Sequence, residues 1–328
     1  MKKLSFVKLV FAAAVSSTVA FGGFYSESAL AAAPMAKLGA PGFFRFTLGD
    51  FEVTALSDGT VDLPVDKLLQ QAPEKTKKEL AELYLGVPTE TSVNAYLINT
   101  GSKLILIDGG AGGLFGPTLG KLVANLNASG YKVSDVDEIY ITHMHPDHVG
   151  GLAQDGKLAF PNAIVRADER ESSFWLSETN LAHAPDSSKG FFQGAMVSLK
   201  PYVEAHHYQP FASNTVLTPG ITSNSSYGHT EGHTSYVVES HGKKMIILGD
   251  LIHVQAVQFG HPKVTIGFDS TPKEAMASRF RVFDEAAKEG DLVAAAHIAF
   301  PGIGHLRTVG KGSEKSYQWI PVNYTQPR

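Results

Sequence analysis

The chain contains no cysteine and only two tryptophans, and beyond residue 31 its longest basic runs are the pairs Lys77-Lys78 and Lys243-Lys244. Without cysteine there is no disulfide framework, so the fold must hold by burial of apolar surface, which 328 residues can supply. Charged residues make up 18% against 43% hydrophobic, a balance that excludes a disordered chain, and 32 Gly without a repeat exclude a collagen-like one. The shortage of clustered lysine and arginine argues against a nucleic-acid partner.

At the start of the chain, Lys2, Lys3 and Lys8 lead into the apolar run Leu9 to Phe21, and Ala29-Leu30-Ala31 follows. That run is too short and too rich in Ser and Thr to span a membrane, which takes about 20 apolar residues. The three-part pattern predicts an export signal over residues 1–31, cleaved after Ala31. No cysteine is present to be lipidated, so the expected product is a single domain, 32–328, in a periplasm or outside the cell, with no stable membrane insertion. Removing the signal's three lysines and one glutamate from 28 basic and 32 acidic residues leaves 25 and 31, a net charge of −6.

Apolar patterning predicts a hairpin from Phe43–Leu48 and Phe51–Leu56 around Gly49-Asp50, and a second strand pair from Val93–Ile98 and Lys103–Ile107. Helices are predicted at Glu74–Leu85, Pro117–Leu126 and Thr271–Lys288, the last with Pro272 in its first turn. Further strands are expected at Val136–Ile141, Ala163–Ala167, Tyr236–Glu239, Lys244–Leu248 and Leu292–Ala296. Two halves of similar strand-then-helix grammar predict an α+β fold in which two sheets pack face to face with helices outside.

The most informative segment is Thr142–Gly151, T-H-M-H-P-D-H-V-G-G, directly after the strand Val136–Ile141. In extended chain, residues two apart point the same way, so His143, His145 and Asp147 can share one side. Pro146 and Gly150-Gly151 favour a departure from the strand that lets Asp147 and His148 reach a second point nearby. Neutral imidazoles clustered with a carboxylate gain little without a cation. Other strand edges offer His229 in G-H-T-E-G-H-T, Asp250 after Met245–Gly249, and His297 after Leu292–Ala296. Together these are seven nitrogen and oxygen donors, enough for two divalent ions completed by water.

This order of motifs, HxHxDH, GHT, LGD and a late strand-end His, resembles the metallo-β-lactamase fold hydrolases. Within them the stretches ALSDGT, LFGPTLG, ITHMHPDHVGGL, SKGFF and FPGIGH are most similar to methyl parathion hydrolase and the aromatic lactonases such as dihydrocoumarin hydrolase. The resemblance implies an αββα four-layer sandwich of two mixed sheets with both metals at one edge. It implies that His143, His145 and His229 hold one ion, that Asp147, His148 and His297 hold the other, and that Asp250 bridges them. Asp108 in L-I-D-G-G looks like a structural carboxylate beside the site, although Gly109 replaces the usual Thr and Glu231 stands where Pro is common. His233 is expected to hydrogen-bond locally. Zinc is the default metal for such donors, with Mn, Co and Fe open, and the lack of cysteine excludes the branches that use a Cys ligand. A homodimer is also implied by the resemblance, though no stripe in the chain gives independent grounds for it.

The activity so implied is attack of a metal-bridging hydroxide on a small-molecule lactone or ester, with Asp147 or Asp250 carrying the proton to the leaving group. By resemblance Leu68, Phe115, Trp175, Phe191 and His253 fall where the family's substrate pocket is lined, and Phe192, Ile266 and Phe268 are further pocket candidates. Phosphotriester-hydrolysing members carry Arg near Leu68 and smaller apolar residues near His253 and Phe268. Those departures favour a flat aryl lactone or aryl ester over a phosphotriester. The alternatives are a phosphotriesterase and a periplasmic metal-binding protein without turnover.

Overall fold

The computed structural model describes Met35 and residues 39–324, so the predicted export signal lies outside the described residues. From Ala40 onward the chain forms one unit built on two large sheets. The first contains β1 (Phe43–Leu48), β2 (Phe51–Leu63), β3 (Thr89–Asn99), β4 (Leu104–Ile107), β5 (Glu138–Tyr140) and β6 (Ile164–Arg166), side by side in that order. β1 to β4 are antiparallel; β4, β5 and β6 are parallel. The second contains β7 (Val216–Thr218), β8 (Ile221–Ser225), β9 (Thr234–Ser240), β10 (Lys243–Ile247), β11 (Leu292–Ala294), β12 (Ile303–Val309) and β13 (Ser316–Pro321), ordered from β13 to β7. Only β10 and β11 run parallel there, so both sheets are mixed.

Alternation along each strand builds the layers. On β3, Tyr96 and Ile98 face the other sheet, where they join Tyr236, Val238, Met245, Ile247 and Ala294 in one buried cluster. The helix expected at Glu74–Leu85 forms as α1 (Pro73–Glu82). Ala95 and Leu97, pointing the opposite way, pack with residues of the helices α2 (Leu122–Ala128), α3 (Glu169–Trp175) and α4 (Asp186–Glu204). Behind the second sheet, Ile246 and Leu248 meet Val282, Phe283 and Ala286 of α5 (Pro272–Glu289). Helices therefore cover both outer faces, giving the αββα sandwich. Such double coverage is why Met245–Leu248, the end of β10 and the residue after it, reads as a continuous apolar run rather than an alternating one.

Two departures from the sequence patterning matter for the site. The helix expected at Pro117–Leu126 begins only at Leu122. A register shift in β2 between Ser57 and Gly59 leaves Asp58 free of a strand partner, and its carboxylate accepts backbone N–H groups of Ala111, Gly120 and Leu122 at 2.9–3.0 Å. That anchorage holds the preceding residues as a loop. The second departure is α4, 19 residues long and not anticipated, because Gly190, Gly194 and Pro201 lower its helical signature. Gly194 has a packing reason: a Cβ there would lie 2.9 Å from Pro146 Cγ, so the helix can press against the His145–His148 turn.

Candidate metal centre

All seven predicted donors sit at strand ends on one edge of the sandwich. Thr142–His148 follows β5, His229 precedes β9, Asp250 follows β10 and His297 follows β11. Among the described residues three groups of donor atoms result, the atoms of each within 4.8 Å of one another: His143, His145, His229 and Asp250 form the first, Asp147, His148 and His297 the second, and Asp250, His253 and His297, which includes His253 from outside the predicted donor set, the third. Asp250 is the point of convergence. Its Oδ2 lies 3.5 Å from His143 Nε2, 3.3 Å from His229 Nε2 and 3.2 Å from His297 Nε2, while Oδ1 lies 3.2 Å from His148 Nε2. Asp147 Oδ2 completes the second group at 3.5 Å from His148 Nε2 and 3.4 Å from His297 Nε2.

The donors fit a pair of cations. His143 Nε2, His148 Nε2 and Asp250 Oδ1 are buried without a hydrogen-bond partner, and each such atom costs about 1–3 kcal/mol when left unsatisfied. Their outer nitrogens, by contrast, are engaged. His148 Nδ1 pairs with Asp108 Oδ2 at 2.9 Å, His229 Nδ1 with Asp269 Oδ1 at 2.9 Å, and His297 Nδ1 with the Ser92 carbonyl at 2.9 Å. These contacts fix the tautomer and aim each Nε2 inward, the arrangement expected around a bound metal. Asp269 and Ser92 had no sequence signal, since neither lies in a donor motif.

Electrostatics bind the cluster internally. Burial opposes charging His229, but hydrogen bonds and charge from Asp250 and Asp269 outweigh it and raise its pKa to about 9. Burial also disfavours ionised Asp250, yet the surrounding imidazoles of His148, His297 and His143 hold its carboxyl well below the usual range. His143 goes the other way, kept neutral by burial and by the neighbouring His148. A carboxylate held ionised among several imidazoles is a donor set that a cation stabilises.

His233 stays outside the donor set. Its Nε2 accepts the backbone N–H of Asp250 at 3.0 Å and its Nδ1 meets the Ser226 carbonyl at 3.1 Å. Gly249, at φ +55°, lets the chain turn there, because a Cβ would sit 2.6 Å from His233 Nε2.

Above the donors lies a narrow cavity of about 30 Å³, walled by Val61, Leu63, Phe115, Phe191, His253 and Phe268, with His145, Asp147, Asp250 and His297 at its base. Four residues expected to line it do not. Trp175 is buried, packing its ring against Phe192 at 4.5 Å and edge-on against His145 at 5.4 Å, so it supports a donor from behind. Phe192 likewise belongs to the core. Leu68 and Ile266 sit beneath Phe268 in a separate apolar cluster, tied by the Gly267 N–H to the Leu68 carbonyl at 2.8 Å. Val61 and Leu63, two apart on β2, were the wall residues that alternation alone could have revealed. A wider cavity of about 600 Å³ shares His253 and His297 and includes Leu83, Leu85 and Val254 in its walls.

The metallo-beta-lactamase superfamily matches residues 88–297, which span every donor. The chain belongs to that superfamily. It is a metal-dependent hydrolase, and its fold is shared over nearly the whole length with solved members. A hydrolase AbOPH of the beta lactamase superfamily is 36% identical, with a TM-score of 0.82 over 88% of this chain and 100% of that one. AidC, a dizinc quorum-quenching lactonase in complex with an N-hexanoyl-L-homoserine product, is 26% identical, with a TM-score of 0.78 over 87% of this chain and 99% of that one. The probable metallo-hydrolase Mb2322c of Mycobacterium bovis is 23% identical over 216 residues, 60% of this chain and 68% of the relative. Among the described residues, no helix is long and apolar enough to cross a membrane.

Proposed function

We propose that this chain is a dinuclear-metal hydrolase that opens aromatic lactones or aryl esters, in the periplasm or outside the cell. The observation that carries the substrate class is the cavity wall. Phe115, Phe191 and Phe268 with His253 line the space over the donors, and these ring faces suit stacking on a flat aryl group better than contact with a tetrahedral centre bearing three substituents. The likeness to AidC, a dizinc lactonase, supports both ring opening and zinc as the metal. The export part of the reading rests on Lys2, Lys3, Lys8, the apolar run and Ala29-Leu30-Ala31.

In this reading His143, His145 and His229 would hold one ion and Asp147, His148 and His297 the other, with Asp250 within reach of both groups. Divalent cations bound there would supply charge to polarise a carbonyl oxygen and to lower the pKa of water from 15.7 towards about 7. The protein's own groups do the rest. Asp147, at the cavity base with a side chain 16% exposed against 3% for Asp250, is the carboxylate best placed to take a proton from the attacking water and pass it to a leaving phenoxide. The aromatic rings orient the aryl group and exclude bulk water.

A second reading, lactones with an alkyl substituent, draws on the wider cavity beside His253 and His297, whose wall includes Leu83, Leu85 and Val254. The deciding measurement is kcat/KM of zinc-replete protein on dihydrocoumarin, an aryl ester, N-hexanoyl-homoserine lactone and methyl parathion. Dihydrocoumarin or the aryl ester is expected to lead, and the alkyl lactone leading would favour the second reading. A lead for methyl parathion would make the protein a phosphotriesterase, and two bound zinc ions with no turnover on any of the four would overturn the proposed substrate class. N-terminal sequencing of protein recovered from the periplasm is expected to begin at Ala32.

A further inference from the structure

Glu171 is an acidic side chain that no motif picks out, yet it is fully buried. Its Oε1 accepts the backbone N–H of Met144 at 2.7 Å, and its Oε2 accepts the Thr230 hydroxyl at 2.8 Å and the Gly232 N–H at 2.8 Å. Met144 lies between His143 and His145; Thr230 follows His229. One carboxylate thus ties together the two chain segments that bring all three imidazoles of the first donor group. Those segments are separated by more than eighty residues and share no strand; the Thr234 N–H to the Thr142 carbonyl at 2.9 Å joins them at the strand ends, and Glu171 joins them beside the imidazoles.

The surroundings are built for the contact. Gly232 admits the close approach, because a Cβ there would lie 2.2 Å from Glu171 N and 2.7 Å from Glu171 Cβ. Four residues further along α3, and so on the same helical face, Trp175 packs its ring edge on His145 at 5.4 Å. The helix is itself held at its start, where Asp168 accepts the Arg170 N–H at 2.8 Å and the hydroxyls of Ser213 at 3.1 Å and Tyr227 at 3.2 Å. Three hydrogen bonds converge on the two oxygens of one side chain, and burial protects them from water.

We infer that Glu171 is a positioning residue that sets the spacing of His143, His145 and His229 and so governs the first metal position separately from the second. This rests on the metal reading above. None of its three hydrogen bonds reaches the His297 strand end, which the Ser92 carbonyl steadies from β3 instead.

The test is a zinc titration of metal-free protein followed by the ring-nitrogen resonances of the histidines, in wild type, Glu171→Gln and Thr230→Val, with folding checked by circular dichroism. Gln keeps the shape but presents an amide donor where an oxygen accepted a donor. Glu171→Gln is expected to need at least ~10-fold more zinc to shift His143, His145 and His229, while His148 and His297 respond as in wild type. Thr230→Val removes one donor and leaves the carboxylate; it is expected to show the same partition at about threefold, and it decides the matter if Glu171→Gln does not fold. Wild-type behaviour in the variants, or equal weakening of both histidine sets, would overturn the inference while leaving the metal reading intact. Failure of wild-type protein to take up two zinc ions would overturn both.

Discussion

Asp108 holds His148 by its outer nitrogen: Oδ2 lies 2.9 Å from Nδ1, leaving Nε2 buried and facing Asp250. The same carboxylate accepts the Thr142 N–H and hydroxyl, each at 2.8 Å, so it also secures the start of the donor loop. Removing it frees the imidazole to rotate. Asp108→Ala is expected to weaken the ion held by Asp147, His148 and His297 by about 10–100-fold, the usual effect of losing such an outer contact. Zinc titration against a competing chelator measures it, and an unchanged second dissociation constant would show the contact to be idle.

Asp250 is where the two donor groups meet, with imidazole nitrogens of His143, His148, His229 and His297 between 3.2 and 3.5 Å from its oxygens. Asp250→Ala leaves those imidazoles without a shared counter-charge. Elemental analysis is expected to find fewer than two zinc equivalents, and esterase activity to drop by at least about 10²-fold. Chelation of wild type should abolish activity and zinc should restore it. A variant with full metal and unaltered turnover would remove Asp250 from the mechanism.

The donor loop was readable in the sequence because its residue types are concentrated in Thr142–Gly151, and its strand because burial on both faces leaves an apolar run. The supporting residues were not. Asp269, Ser92 and Glu171 each touch a donor or its neighbour from a distant part of the chain, and nothing local distinguishes them from surface polar residues. Trp175 illustrates the reverse error: its position near the site was legible, but the way its helix turns it toward Phe192 was not. Helix α4 escaped because Gly194 and Pro201 serve packing and local geometry rather than helix propensity.

The aromatic wall of the cavity is a physical cause of selectivity that can be changed. Phe268 stands across the cavity from Phe191, ring centroids 6.5 Å apart, and lies 6.2 Å from the His253 ring. Phe268→Leu removes aromatic bulk from that wall and makes room for a tetrahedral phosphorus centre. The ratio of methyl parathion to dihydrocoumarin kcat/KM is expected to rise by about tenfold, within the ~1–3 kcal/mol that a change of hydrophobic pocket volume gives. An unchanged ratio would mean that the aromatic wall does not choose the substrate.

His233 links the site to acid stability. Burial lowers its pKa to about 3, and His229 nearby adds to the effect; the neutral ring is the form whose Nε2 can accept the Asp250 N–H at 3.0 Å. An unfolded chain takes up this proton near pH 6.5, whereas the folded one refuses it until pH falls to about 3. Between those values the unfolded state binds more protons, so stability rises with pH and His233's contribution is lost on acidification, by as much as about 1.4 kcal/mol per unit. His233→Gln has no such titration. In chelator-treated protein the urea midpoint of wild type is therefore expected to exceed that of the variant at pH 7 and to converge on it by pH 4, the other buried histidines changing in both and cancelling in the difference. A gap that stays constant across that range would show that the ring is not held neutral, and that the Asp250 N–H is steadied by something else.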